Sequence, residues 1–129
     1  MGTNYYIKVD EEQMDNPILE DIWHDKSERL VHFGKQSAGW IFTLHVYPEL
    51  GIMNLDDMVE LLDEVGEWQW VSGTWTSCLI NEYEEVTSEM VMIDNLLSAP
   101  KHDVKRHPID YKHCIGHGKY ADYVIGNWS

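Results

Sequence analysis

The sequence predicts an α+β fold: a mainly antiparallel sheet of about five to seven strands with two helices on one face. Three observations carry that expectation. In the stretch His32 to Tyr47, HFGKQSAGWIFTLHVY, the residues Trp40, Phe42, Leu44 and Val46 alternate with Ile41, Thr43, His45 and Tyr47, the period of a strand that buries one face. Leu55, Met58, Val59, Leu62 and Val65 recur at helical spacing between Asn54, a capping residue, and Gly66, a natural stop. Glu67 to Trp75 and Ser77 to Val86 read as two more strands, joined near Gly73 to Thr76, with Trp68 and Trp70 on one face.

In chain order, Asn4 to Val9 is a short strand with Tyr5, Ile7 and Val9 on one side, ended by Asp10, Glu11 and Glu12. Asn16-Pro17 has the chemistry of a helix start, and Ile18, Leu19, Ile22 and Trp23 form an apolar stripe up to about Lys26; a loop with a few buried apolar residues is the alternative. Leu30 to Phe33 is one arm of a hairpin whose other arm begins at Trp40, with Gly34 and Gly39 bracketing its turn. Pro48 and Gly51 break the second arm before the Asn54 helix. That helix carries Asp56, Asp57, Glu60, Asp63 and Glu64 opposite its apolar stripe, followed by Glu67, and no lysine answers any of them four residues on. The strand ending at Val86 closes on Glu82, Glu84 and Glu85. Thr87 or Ser88 then caps a second helix with Met90, Ile93 and Leu97 facing the core and Pro100 stopping it. His107-Pro108 opens a turn, and Ile109 to Ile115 with Tyr120 to Trp128 form a last hairpin around Gly116 to Gly118. No repeat or linker interrupts the chain, so one domain over residues 1–129 is expected.

Composition bounds the class. At 129 residues, 43% hydrophobic with six Trp and seven Tyr, the chain can bury an ordinary core. Cys78 and Cys114 are too few for a disulfide framework, and no apolar run approaches the roughly 18 to 20 residues of a membrane span. MGTNYYIKVDEE has neither a basic nor an apolar leader region, so no secretory signal and a cytoplasmic location are expected. The charge is uneven: the formal net is −14, and no Lys or Arg occurs from position 36 to position 100. Lys and Arg ordinarily make up roughly a tenth of a sequence, so such a stretch is improbable by chance. The tail from Lys101 is mildly basic and holds four of the seven histidines, which makes the molecule electrostatically two-sided.

Candidate chemistry is sparse. Gly34-Lys35 lacks the first glycine of a phosphate loop and is followed by a strand, so a hairpin turn is the better reading. His113, Cys114 and His117, with His107 nearby, are residue types that zinc accepts, and His32 or His45 could be brought close, but the spacing matches no standard finger. Cys78 reads as a small core residue. No paired carboxylates stand out and no Ser-His-Asp order is legible, so the chain is not read as an enzyme.

The opening MGTNYY, the block HFGKQSAGW followed by FTLHVYP, the NEY of Asn81 to Tyr83, and RHPIDYKHCIGHG together resemble a group of small uncharacterised proteins encoded by tailed bacteriophages. The resemblance implies a phage origin and brings no activity with it. Members of that group look as if they carry a Cys-x-x-Cys knuckle before the His-x-Gly-Lys block. Met1 to Ser77 contains no cysteine here, so a zinc ribbon is not carried over.

Two explanations compete for the acidic middle: a surface that keeps the protein soluble, or one that imitates nucleic-acid phosphates and docks on a basic host protein. The expectation is a non-enzymatic accessory protein, cytoplasmic in a bacterial host, that binds and inhibits a host protein with a basic surface, as an anti-defence factor. The expected contact residues are Asp56, Asp57, Glu60, Asp63, Glu64, Glu67, Trp68, Trp70, Glu82, Glu84 and Glu85. No direct nucleic-acid or membrane binding and no cofactor are expected. The alternative is a metal-binding or nucleic-acid-processing domain in which His113, Cys114 and His117 hold zinc. Oligomeric state is not legible.

Overall fold

The computed structural model describes residues 2–37, 39–71, 73–93, 105–109 and 113–126. Strands β1 (Gly2–Lys8), β2 (Trp23–Asp25), β3 (Leu30–Ser37), β4 (Phe42–His45), β5 (Trp68–Val71), β6 (Thr74–Asn81), β7 (Val86–Ser88), β8 (Cys114–His117) and β9 (Ala121–Val124) join one nine-stranded sheet. Its order is β5-β6-β1-β3-β4-β9-β8, with β2 beside β3 and β7 beside β6. Every pairing is antiparallel except β4 with β9. The mainly antiparallel α+β expectation holds, with more strands than foreseen. The excess comes from three-residue strands such as β2 and β7, which are too short to show a period and exist only because a longer neighbour offers them hydrogen bonds.

Helix α1 (Leu55–Val65) is built as its sequence dictates. The Asn54 side chain accepts a hydrogen bond from the Asp57 N–H at 2.9 Å, and Asp56 and Asp57 sit in the positive first turn. Met58, Leu61, Leu62 and Val65 are buried against Ile7, Val9, Val31, Phe33, Phe42, Leu44 and Leu79 of the sheet. Leu61 thus replaces Leu55 and Val59, which are only partly buried at the edge. Gly66 stops the helix in extended geometry, because a Cβ there would lie 2.4 Å from the Leu62 carbonyl oxygen.

Five expectations are corrected. The Asn16 cap is present, with its side chain accepting from the Ile18 N–H, but it starts only a 3-10 turn, Pro17–Leu19; Trp23 to Asp25 then leave as β2 to pair with β3. Gly34 lies inside β3 rather than in a turn, and the chain reverses at Gly39, whose φ is 80°. The strand from Phe42 buries both faces, Thr43 and His45 as well as Phe42 and Leu44, whereas Trp40 is only half-buried. A sheet covered on both sides cannot be distinguished from a one-sided one by alternation alone. Ser88 caps α2 (Glu89–Val91), a single turn in which Met90 is exposed; beyond it Met92 is buried and Ile93 exposed. Leu97, Pro100 and parts of the last hairpin lie outside the described residues, and that hairpin turns after His117 rather than around Gly116 to Gly118, because Gly116 and His117 pair with β9 as part of β8.

Candidate functional site

Antiparallel pairing sets Trp70 directly opposite Trp75 and Trp68 opposite Ser77 on the β5–β6 hairpin, so the three indoles share one face. They are 39% (Trp68), 69% (Trp70) and 58% (Trp75) exposed, although such rings normally dominate cores. The face adjoins α1, since the Trp68 Nε1 donates to the Asp63 carbonyl oxygen at 3.4 Å. On the helix's other flank a groove of ≈ 210 Å³ is lined by Ile18, Leu50 and Leu61 together with Asp57, Glu60 and Glu64. The helix is therefore an acidic ridge between a groove of mixed aliphatic and acidic lining and a tryptophan face.

The expected contact acids divide into two sets. Asp57 caps the Met53 N–H, Glu67 pairs with Arg29 at 3.8 Å, Glu82 accepts from the Asn4 N–H, and Glu85 accepts from the Asn81 amide. These carboxylates hold local structure. Among the described residues, Asp56, Glu60 and Glu64 on α1 and Glu84 in the β6–β7 turn pair with no cation and stand exposed. The structure does not gather all the acids into one patch: Glu82, Glu84 and Glu85 occupy the turn beyond the β1 edge of β6, away from the ridge.

A carboxyl pair that the sequence left hidden joins α1 to α2. The buried Ser77 hydroxyl lies 2.9 Å from Asp63 Oδ1 and 2.8 Å from Glu89 Oε2. One hydroxyl proton cannot serve both acceptors, and burial together with the Asp63 hydrogen bond pushes the Glu89 carboxyl up to about 7. The available signal was Ser77 itself: counting back from the core residue Leu79 at period two puts its hydroxyl inward, where it needs a partner.

Imidazoles line up elsewhere. His24 and His32 both lie tilted against Tyr6, His32 lies 5.2 Å from His45, and His45 stacks on Tyr47 at 4.6 Å. His32 faces Asn4 Oδ1 at 3.2 Å, the Tyr47 hydroxyl donates to the His32 carbonyl at 2.6 Å, and a ring nitrogen of His45 lies 2.6 Å from the Gly126 carbonyl oxygen. Burial, aided by the neighbouring His45 and His24, pushes His32 down to about 3, and burial also lowers His45. Both are neutral at physiological pH, bordering a cleft of ≈ 200 Å³ that Asp21 and Glu49 also line. The fold brings His45 toward the C-terminal group, since His45 and Cys114 both pair with Val124 from either side of β9 and the nearby His113 helps to lower His45, while His32 stays two strands away on β3.

At the far edge of the sheet, Cys114, His117 and Asp122 come together, with one ligand-type atom from each lying within 4.8 Å of the others. They are the one such group of three among the described residues. His113 is not among them; its ring lies against Gly126 instead. Asp122, fully buried, accepts from the His107 N–H at 2.7 Å, lies 3.3 Å from His107 Nδ1, and has Arg106 at 3.5 Å. The same segment donates and accepts across the entry to β4 through Lys105, and His107 stacks on Trp40 at 4.5 Å.

No helix of the described residues is long and apolar enough to cross a membrane. Comparison with protein-family models, with curated proteins and with solved structures returned no match.

Proposed function

We propose that this protein is a small acidic binding protein that docks on a basic surface of a host protein and inhibits it, in the setting of a phage infection. The observation that supports the reading is the α1 ridge: Asp56, Glu60 and Glu64, paired with no cation among the described residues, between a groove of mixed aliphatic and acidic lining and three exposed tryptophans. The groove suits a lysine or arginine, its stem on Ile18, Leu50 and Leu61 and its charge toward Glu60 and Glu64. Tryptophans at a desolvated centre supply binding energy, while unpaired carboxylates chiefly speed encounter and select basic partners. The same charge, −14 overall, repels phosphate, so the protein acts on a nucleic-acid-binding partner rather than on nucleic acid. The phage setting and the anti-defence role rest on the sequence resemblance.

The test is a triple reversal, Asp56→Lys with Glu60→Lys and Glu64→Lys, which breaks no ion pair or side-chain hydrogen bond among the described residues and costs the first turn of α1 only the favourable charge of Asp56; Asp63 is left alone because it holds Ser77. Binding is measured directly to a partner first captured from host lysate and then purified, at low and moderate salt, with duplex DNA as competitor. The reversal is expected to fold and to lose tenfold or more in affinity, at about 1.4 kcal/mol per decade. Trp70→Ala with Trp75→Ala is expected to speed dissociation. A triple reversal that binds as tightly as the parent with the same salt dependence refutes the reading.

A further inference from the structure

A strand edge on the other side of the molecule carries a different chemistry. In a regular strand, residues three apart point to opposite faces, so Cys114 and His117 should diverge. They do not, because Cys114 pairs with Val124 while Gly116 pairs with Tyr123, leaving Ile115 as an extra residue. That bulge turns the odd spacing into a shared face, and His117 is then directly opposite Asp122. Glycine next to the bulged residue is where such an irregularity is expected.

We propose that Cys114, His117 and Asp122 form a binding site for a thiophilic divalent cation, zinc above all. Tetrahedral zinc with bonds of about 2.0 to 2.3 Å places its ligand atoms roughly 3.3 to 3.8 Å apart. His117 Nε2 and Asp122 Oδ1 are already 3.6 Å apart, so only the Cys114 sulfur has to close in. The donor set excludes calcium and magnesium, which take oxygen ligands, and favours zinc or cobalt. Asp122 is suited to the role because its two oxygens differ. Oδ2 accepts the short bond from the His107 N–H, whereas among the described residues Oδ1 has the longer contacts, to Arg106 at 3.5 Å and His117 at 3.6 Å, and is the oxygen placed to turn to an ion. His107 then acts as the outer partner that orients the carboxylate through Oδ2. The His107 carbonyl oxygen, 2.5 Å from His117 Nε2, accepts from that ring nitrogen, so binding the ion requires His117 to give up this bond, and the fourth position falls to solvent. Cys114 and Asp122 are buried and His117 is exposed at the rim, which places the entry path on the His117 side. The bound ion ties the 105–109 segment to the β8–β9 edge. This site is independent of the acidic ridge.

The experiment titrates the full-length, reduced protein with Co2+ and then Zn2+. The expected result is about one ion per chain, a thiolate-to-cobalt charge-transfer band that zinc bleaches, and a rise in thermal midpoint with zinc. Cys114→Ser abolishes the band and Cys78→Ser preserves it. Because Asp122 also anchors the tail, the deciding variant is the rim residue: His117→Gln should fold normally and lose tenfold or more in affinity, while His113→Gln keeps it. The proposal is overturned by a wild-type protein without the band, by a band that survives Cys114→Ser, or by a His117→Gln variant with parental affinity.

Discussion

Two buried titratable residues pull the stability of this molecule in opposite directions with pH. His32 has its folded pKa near 3, below its ordinary 6.5, so the unfolded chain takes up a proton that the folded one refuses. Its contribution is complete above about pH 6.5 and is lost as pH falls toward 3, at up to about 1.4 kcal/mol per pH unit. Glu89 behaves inversely: its carboxyl keeps its proton up to about 7 in the fold, against an ordinary 4.5. Its contribution is complete below about pH 4.5 and is lost as pH rises through 7; the group is only partly buried, so screening holds the effect below about 1 kcal/mol. Denaturant midpoints across pH 5 to 8 should therefore lose their acid slope in His32→Gln and their neutral-side decline in Glu89→Gln. Variants whose profiles run parallel to the parent's would show that these sites do not set the pH response. The histidine effect was not readable from the chain, since nothing at His32 marks that two more imidazoles will stack around it.

Among the elements, the β3–β4 pair shows that one residue type can serve two ends. Gly34 sits where a Cβ would lie 2.4 Å from the Phe42 ring and 2.4 Å from the Thr43 carbonyl oxygen, so the two strands approach only because it has none. Gly39 has open space around it and is required instead for its φ of 80°. Gly34→Ala should therefore cost about 3 kcal/mol or more through forced displacement of a core ring, and Gly39→Ala about 1 kcal/mol through backbone strain. Equal costs in urea denaturation would mean that the ring moves aside freely. The sequence pointed to both glycines and assigned them one common job as turn brackets. Local chemistry identifies where a side chain is absent, but not what fills the space.

Over the whole molecule, like-charge repulsion is the term that solution conditions can move. A net charge of −14 is set against few close ion pairs among the described residues, Arg29 with Glu67 and Arg106 with Asp122. Sodium chloride near 1 M shortens the Debye length to about 3 Å, screening the many long repulsions more than the few short attractions. Thermal midpoint is expected to rise with salt, and to rise less in the Asp56→Lys, Glu60→Lys, Glu64→Lys variant. A midpoint that falls with salt would show that the acids are held by attractions the charge count does not represent.

What the sequence determined alone is whatever rests on contacts within a few residues: the capped amphipathic helix α1, the presence of a strand at Phe42, the Trp-bearing hairpin β5–β6, and the acid-rich middle. Each is encoded at spacings of two to four residues, so it survives without knowledge of the rest of the chain. Tertiary structure decided the parallel partnership of β4 with β9, the Ser77 clasp between Asp63 and Glu89, and the meeting of Cys114, His117 and Asp122 across a bulge. The first two join residues far apart in the chain, and the third depends on one extra residue in a strand. A register shift of a single residue moves a side chain to the opposite face, and only the partner strand determines whether that shift occurs.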